Sequence, residues 1–166
     1  VYTMISAKDV PAMLKGTTLA LIFISGVILL VLRNVKLGVI SLIPNLLPAA
    51  MAFGLWGYTA GSVTLAVSIV VAMTLGIVVD DTVHFILKYA DAKKKGLSAE
   101  DAVRYAFKSV GMALTITSLA LVIGFIILGQ SGFAVNRDLA RLTAVTLAVA
   151  LFIDFIFLPP LLIWID

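Results

Sequence analysis

Five long apolar runs, at residues 17–32, 37–56, 63–87, 112–128 and 139–165, dominate this chain of 166 residues. A bilayer core of about 30 Å is crossed by about 20 helical residues, so each run has roughly the length of one span. Hydrophobic residues make up 62% and charged residues 13% of the chain, against roughly 45–50% and 25% in soluble domains. A soluble fold of this size cannot hide that much apolar surface, and disorder is excluded for the same reason. The runs are too long and continuous for the alternating strands of a membrane barrel. The expected fold is therefore all-α: a polytopic membrane bundle of five transmembrane helices, with a short cytoplasmic amphipathic helix at about 98–110.

The second run carries Pro44 and Pro48, which are expected to break or kink it, with Asn45 between them available to a freed backbone group. An uncharged turn at 57–62 separates it from the third run. A chain that starts at Val1 and enters directly into a short polar segment reads as a piece of a longer polypeptide.

Loop charges set the expected orientation. One side holds Arg33, Lys36, Lys88, Lys93, Lys94, Lys95, Arg104 and Lys108, while the other holds Lys8, Lys15, Arg137 and Arg141. The positive-inside rule puts the first side in the cytoplasm, with the N-terminus outside and the C-terminus inside. Between the third and fourth runs, Ser98 with Asp101 three residues on marks a helix start. Ala102, Val103, Ala106, Phe107 and Val110 then form one apolar stripe. That stripe suits either a helix on the membrane surface or a connector packed beneath the bundle.

Enzyme chemistry finds little material. Cysteine is absent and there is a single histidine, so thiol nucleophiles, metal sites and triads lack their parts. Phosphate-loop, nucleophile-elbow, zinc-protease and dinucleotide motifs are also missing. A net charge of +3 gives no reason to expect a nucleic-acid partner. No cofactor is expected.

The informative polar residues lie inside the apolar runs. Asp80 and Asp81 sit in the third, and each carboxylate at mid-bilayer costs roughly 2.5–3.5 kcal/mol even on lenient scales. They are expected to face protein or trapped water. His84 follows Asp80 by one turn on the same face. Asp80 is eight residues before Lys88, about 12 Å in, and Asp154 is eleven before Ile165, about 16 Å in. Thr115, Thr117 and Ser118 lie seven to ten residues after Lys108, about 10–15 Å in. Three helices thus bring polar groups to one depth, with hydroxyls as candidate donors to the carboxylates. The reading makes Asp80 and Asp81 functional candidates, with His84, Thr115, Thr117, Ser118 and Asp154 as candidate relay or support groups. A purely structural hydrogen-bond cluster is the competing account.

The run Gly76-Ile77-Val78-Val79-Asp80-Asp81-Thr82-Val83-His84-Phe85 resembles the fourth/tenth-helix motif of the resistance–nodulation–division (RND) superfamily, in its mycobacterial-membrane-protein-large (MMPL)-like and hopanoid-exporter-like branch. Leu42-Ile43-Pro44-Asn45-Leu46-Leu47-Pro48, Ser118-Leu119-Ala120-Leu121-Val122-Ile123-Gly124-Phe125 and Asp154-Phe155-Ile156-Phe157-Leu158-Pro159-Pro160 resemble the same branch, in order and spacing. The resemblance implies the last five helices of one half, slightly favouring the C-terminal one, of a twelve-helix secondary active transporter, with residues 1–16 as the end of an extracytoplasmic domain or its linker. It further implies a bacterial inner-membrane location, proton translocation by an aspartate pair that Asp80 and Asp81 match directly, with protons as the coupling ion, and export of lipid-like or amphiphilic substrates. The implied partners are membrane lipids, the substrate, the remaining half and the extracytoplasmic domains, with homo-oligomerisation left open. A sterol- or lipid-sensing domain and a protein-translocation motor of the same superfamily are the alternatives.

Overall fold

A computed structural model describes residues 35–60 and 65–165, together with isolated helical positions before residue 31. The first expected span lies largely outside the described residues. The elements are α1 (Val35–Ala60), α2 (Leu65–Lys94), α3 (Ala99–Ala106), a π-helical turn (Phe107–Gly111), α4 (Met112–Leu128), α5 (Ala134–Ile156) and α6 (Leu158–Ile165). The described residues contain no strand.

Helix α5 is the hub, packing against α1, α2 and α4. Its buried face is rich in small residues, with Ala140, Thr143, Ala144, Thr146 and Ala150 beside Leu142, Leu147 and Ile153. Small side chains let neighbouring backbones approach closely where no water drives helices together. The buried threonines satisfy their hydroxyls on their own helix, Thr143 donating to Leu139 O at 2.8 Å and Thr146 to Leu142 O at 2.8 Å.

Polarity is distributed against the soluble pattern. Helix α4 exposes Ile116, Ile123, Ile126 and Ile127, while Ser41, Asn45, Thr74, Thr82, Ser118, Thr143, Thr146 and Asp154 are buried. An apolar exterior around a hydrogen-bonded polar interior is what lipid selects. Two described helical runs, Ala99–Leu128 and Ala134–Ile165, have the length and apolarity to cross a membrane.

Several boundaries differ from those expected. Helix α1 is continuous through Pro44 and Pro48 and reaches Ala60, over much of the expected turn. Both prolines and Asn45 are buried, so packing holds the helix together despite two missing N–H donors. Helix α2 extends to Lys94, which puts Lys88, Lys93 and Lys94 on the helix and not in a loop. It ends on Gly96 at φ +83. Gly96 N–H reaches Lys93 O at 3.0 Å and Leu97 N–H reaches Ala92 O at 3.3 Å, the paired bonds of a Schellman cap, with Gly96 in the left-handed region open to glycine.

Ser98 caps α3, accepting from Asp101 N–H at 3.2 Å while its hydroxyl donates to the Asp101 carboxylate at 2.9 Å. The apolar stripe of this helix does not lie on a lipid surface. Ala102, Val103 and Ala106 are buried with Phe85, Ile86, Tyr89, Ala92, Leu158 and Leu162, so the segment packs under the bundle and runs through the π-helical turn into α4. Phe107, in that turn, meets Phe85 edge-on at 5.0 Å and Phe155 at 5.4 Å. A Cβ on Gly111 would stand 3.2 Å from the Phe107 ring, so glycine there leaves room for the aromatic contact.

The last run begins earlier than expected, at Ala134, which places Arg137, Asp138 and Arg141 within α5. It is interrupted at Phe157. Pro159 and Pro160 lack the donors that would reach Phe155 O and Ile156 O, and the chain resumes with Leu161 N–H on Phe157 O at 3.3 Å. Lys36 donates to Ile165 O, joining the start of α1 to the C-terminal end of α6, where the helix dipole favours a cation.

Candidate functional site

Three consecutive residues of α2 carry the site. An α-helix turns about 100° per residue, so Asp80, Asp81 and Thr82 point in three directions. Asp81 meets α4, where the Ser118 hydroxyl donates to its Oδ2 at 2.8 Å. Thr82 meets α1 and α5, with its Oγ1 2.7 Å from Asn45 Oδ1 and 2.9 Å from Asp154 Oδ1. Asp80 meets neither. Its side chain is 73% exposed, and its Oδ1 lies 3.5 Å from His84 Nε2 one turn on.

The common depth read from the sequence is therefore realised in side-chain contacts: α2 reaches α4 through Asp81–Ser118 and α5 through Thr82–Asp154. Thr115 and Thr117 stand at the same level but do not reach a carboxylate. Thr115 donates to Gly111 O at 2.8 Å, and Thr117 approaches Ala113 O at 3.0 Å and Leu114 O at 3.1 Å. Backbone carbonyls one turn back are the nearest acceptors for helical hydroxyls.

Asp80 and Asp81, read as one unit, share a cleft but differ in what holds them, Asp81 alone of the two meeting the Ser118 hydroxyl. Asp80, His84 and Thr117 line an open cleft of about 740 Å³ between α2 and the start of α4, together with Asp81, Gly76 and Leu121. Asp154 is the most enclosed carboxylate of the site, 3% exposed. Asn45 and Thr82 are 2% and 0% exposed. Neither was a candidate site residue on the sequence, although Asn45 lies nine residues after Lys36, about 14 Å in, at the same depth as the others. The described residues contain no cluster of three or more His, Cys, Asp or Glu able to hold a metal ion. The cluster offers carboxyls, hydroxyls, an amide and an imidazole, groups that can bind protons and hold helices together.

A second polar group lies beyond the apolar core. Lys95 donates to Asp91 Oδ2 at 2.7 Å and to Tyr105 Oη at 3.1 Å, with its Nζ 4.8 Å from the Tyr105 ring centroid. The hydrogen bond from Lys95 holds the Asp91 carboxyl below the ordinary carboxylate range, and the same bond raises the Lys95 ammonium. This group ties the end of α2 to α3.

A membrane protein of Methanocaldococcus jannaschii is similar to this chain, 22% identical over 147 residues. The similarity covers 89% of this chain and 38% of that relative, so the chain spans little more than a third of the relative's length. The MMPL family matches residues 4–165, nearly the whole sequence and all of the polar layer. With its buried polar layer inside an apolar helical bundle, the chain belongs to the MMPL family of membrane proteins.

Proposed function

We propose that this chain is the transmembrane part of a secondary active RND/MMPL-type exporter, driven by the proton gradient and acting on lipid-like or amphiphilic substrates. The observation that carries this reading is the Ser118–Asp81 hydrogen bond within the bundle, on the same helix turn as Asp80 and Thr82. Carboxylates at this depth are expensive, and a purely structural cluster needs hydroxyls and amides, not acids. The acids earn their place by changing charge.

In this reading five helices span a bacterial inner membrane, with the N-terminus outside and the C-terminus in the cytoplasm. Asp81 and Asp80 carry the protons. Asp80 and His84, on the open cleft, exchange with water, and Ser118 holds Asp81 in place. One charge crossing the membrane supplies about 2.3 kcal/mol per 100 mV. That energy biases helix packing only if protonation differs between two arrangements of the bundle. The Asp81–Ser118 contact between α2 and α4 is such a protonation-sensitive joint. Substrate is recognised largely by extracytoplasmic parts of the full-length parent, and the remaining half completes the machine.

The test is proton flux in vesicles containing the full-length parent, native against Asp80→Asn and Asp81→Asn, with folding followed by detergent sizing. Loss of flux and of substrate efflux in folded variants is the expected result. Persistence of both would make the pair structural and would move a lipid-sensing or scaffold role ahead.

A further inference from the structure

The cluster of Asn45, Thr82 and Asp154 is not used by the aspartate-pair reading, and its hydrogen-bond inventory is informative. Thr82 Oγ1 lies 2.7 Å from Asn45 Oδ1, 2.9 Å from Asp154 Oδ1 and 3.1 Å from Val78 O. A hydroxyl has one proton and serves one of these acceptors well. With its oxygen toward Thr82, Asn45 leaves Nδ2 buried and without an acceptor among the described residues. Turned over about its terminal bond, the same amide presents Nδ2–H to Thr82 Oγ1, and the Thr82 hydroxyl is then free to donate to Asp154 Oδ1. Oxygen and nitrogen exchange places with no other movement, and donor counting selects this orientation.

The chain of donors therefore runs one way, from Asn45 through Thr82 to Asp154. It stops there. Among the described residues, the buried Asp154 Oδ2 has no hydrogen-bond partner. The charged group that faces it, among the described residues, is Asp81, the residue before Thr82, which has the same sign. At this level α1 and α4 contribute uncharged groups, Asn45 and Ser118, and the buried residues of α6 are Leu158, Pro159 and Leu162. An ionised Asp154 would be a buried charge with one neutral hydrogen bond and a like-charged neighbour, an arrangement that a single bound proton removes.

We propose that Asp154 is a separate proton-binding site, holding one proton on Oδ2 while Thr82, oriented by Asn45, donates to Oδ1. The binding step is the addition of one proton to the Asp154 carboxylate, giving the neutral acid. Thr82 and Asn45 are positioning residues: Thr82 selects which oxygen remains the carbonyl, and Asn45 keeps the Thr82 hydroxyl from turning toward α1 or the Val78 carbonyl. The site deepens the proton-coupled reading, on which the onward path of this proton rests; its occupancy is a separate matter and is measured separately.

The experiment is infrared spectroscopy of the full-length parent in lipid vesicles at neutral pH, in H2O and D2O, recording native-minus-variant difference spectra in the carbonyl-stretch region of protonated carboxylic acids. The expected result is a band in native protein that is lost in Asp154→Asn and kept in Asp80→Asn and Asp81→Asn. Thr82→Val should shift that band to higher frequency, as a carbonyl does on losing a hydrogen bond, and Thr82→Ser should restore it. No band difference for Asp154→Asn, or identical spectra for Thr82→Val and Thr82→Ser, would overturn the proposal. If Asp154→Asn does not fold, the Val/Ser comparison at Thr82 decides alone. Failure of proton-driven export would appear in flux and leave this band untouched, so the two readings fail separately.

Discussion

Replacing Thr82 by valine keeps the shape of the side chain and removes the single hydroxyl that joins α2 to α5 and α1. The residue is fully buried, so no water replaces the lost contact. Interhelical hydrogen bonds within membranes average about 0.6 kcal/mol and reach about 1–2 kcal/mol, while a buried acceptor left without its donor costs about 1–3 kcal/mol. Thr82→Val should therefore destabilise the bundle by about 1–3 kcal/mol. A double-mutant cycle isolates the contact: Thr82→Val with Asp154→Leu should show a coupling of about 1–2 kcal/mol, because each change alone removes the one bond the two side chains share, whereas an amide at position 154 would keep the acceptor. Thr82→Val with Asp80→Asn should be additive within about 0.3–0.5 kcal/mol, since Asp80 points away into the cleft. Reversible denaturant unfolding of the full-length parent in detergent reads both cycles. Additivity in the Thr82/Asp154 cycle would refute the contact as the joint between these helices.

Other outcomes follow from the same geometry. Ser118→Ala, which removes the donor to Asp81, should cost about 0.6–2 kcal/mol in the same unfolding assay. Gly96→Ala should cost about 1–2 kcal/mol, because alanine must adopt the left-handed conformation found at φ +83; an alanine as stable as native would show that the α2 cap relaxes freely. Gly111→Ala should displace the Phe107 ring, 3.2 Å from the new Cβ, and alter the aromatic near-ultraviolet signal. Asp91 and Lys95 give a pH signature. The Asp91 carboxyl is lowered in the folded chain, so its contribution is present above its unfolded value and is lost as pH falls through the folded one. The Lys95 ammonium is raised, so its contribution is present below its unfolded value and is lost as pH rises through the folded one. The stability gap between native protein and Asp91→Asn should thus be flat near neutrality, close at both extremes, and shrink with salt.

The sequence revealed which residues share a depth, because depth is a count of helical residues from a charged end. That count puts Asp81, Ser118 and Asp154 in one layer, and in the structure Ser118 meets Asp81 while Asp154 meets Thr82 beside it. Direction was harder to read. Asp80 and Asp81 look like a pair on paper, yet adjacent helical residues diverge by about 100°, and only packing decides which neighbour each meets. Thr82 was hidden in the same way, as an ordinary residue beside two acids until α5 is placed against it. Asn45 reads on the sequence as a partner for the flanking prolines, although its distance from Lys36 gives the same depth. Element ends were misjudged where polar residues continue a helix: Lys88 to Lys94 extend α2, and the stripe from Ala102 to Val110 continues into α4. Helical stability there comes from tertiary packing, which a hydropathy boundary does not contain.

The most direct measurement of proton coupling is substrate movement driven by an imposed pH gradient, with the membrane potential clamped, in vesicles of the full-length parent. The account predicts that the gradient accelerates transport by native protein and has no effect on folded Asp81→Asn. Equal transport with and without the gradient, or an undiminished response in Asp81→Asn, would contradict it.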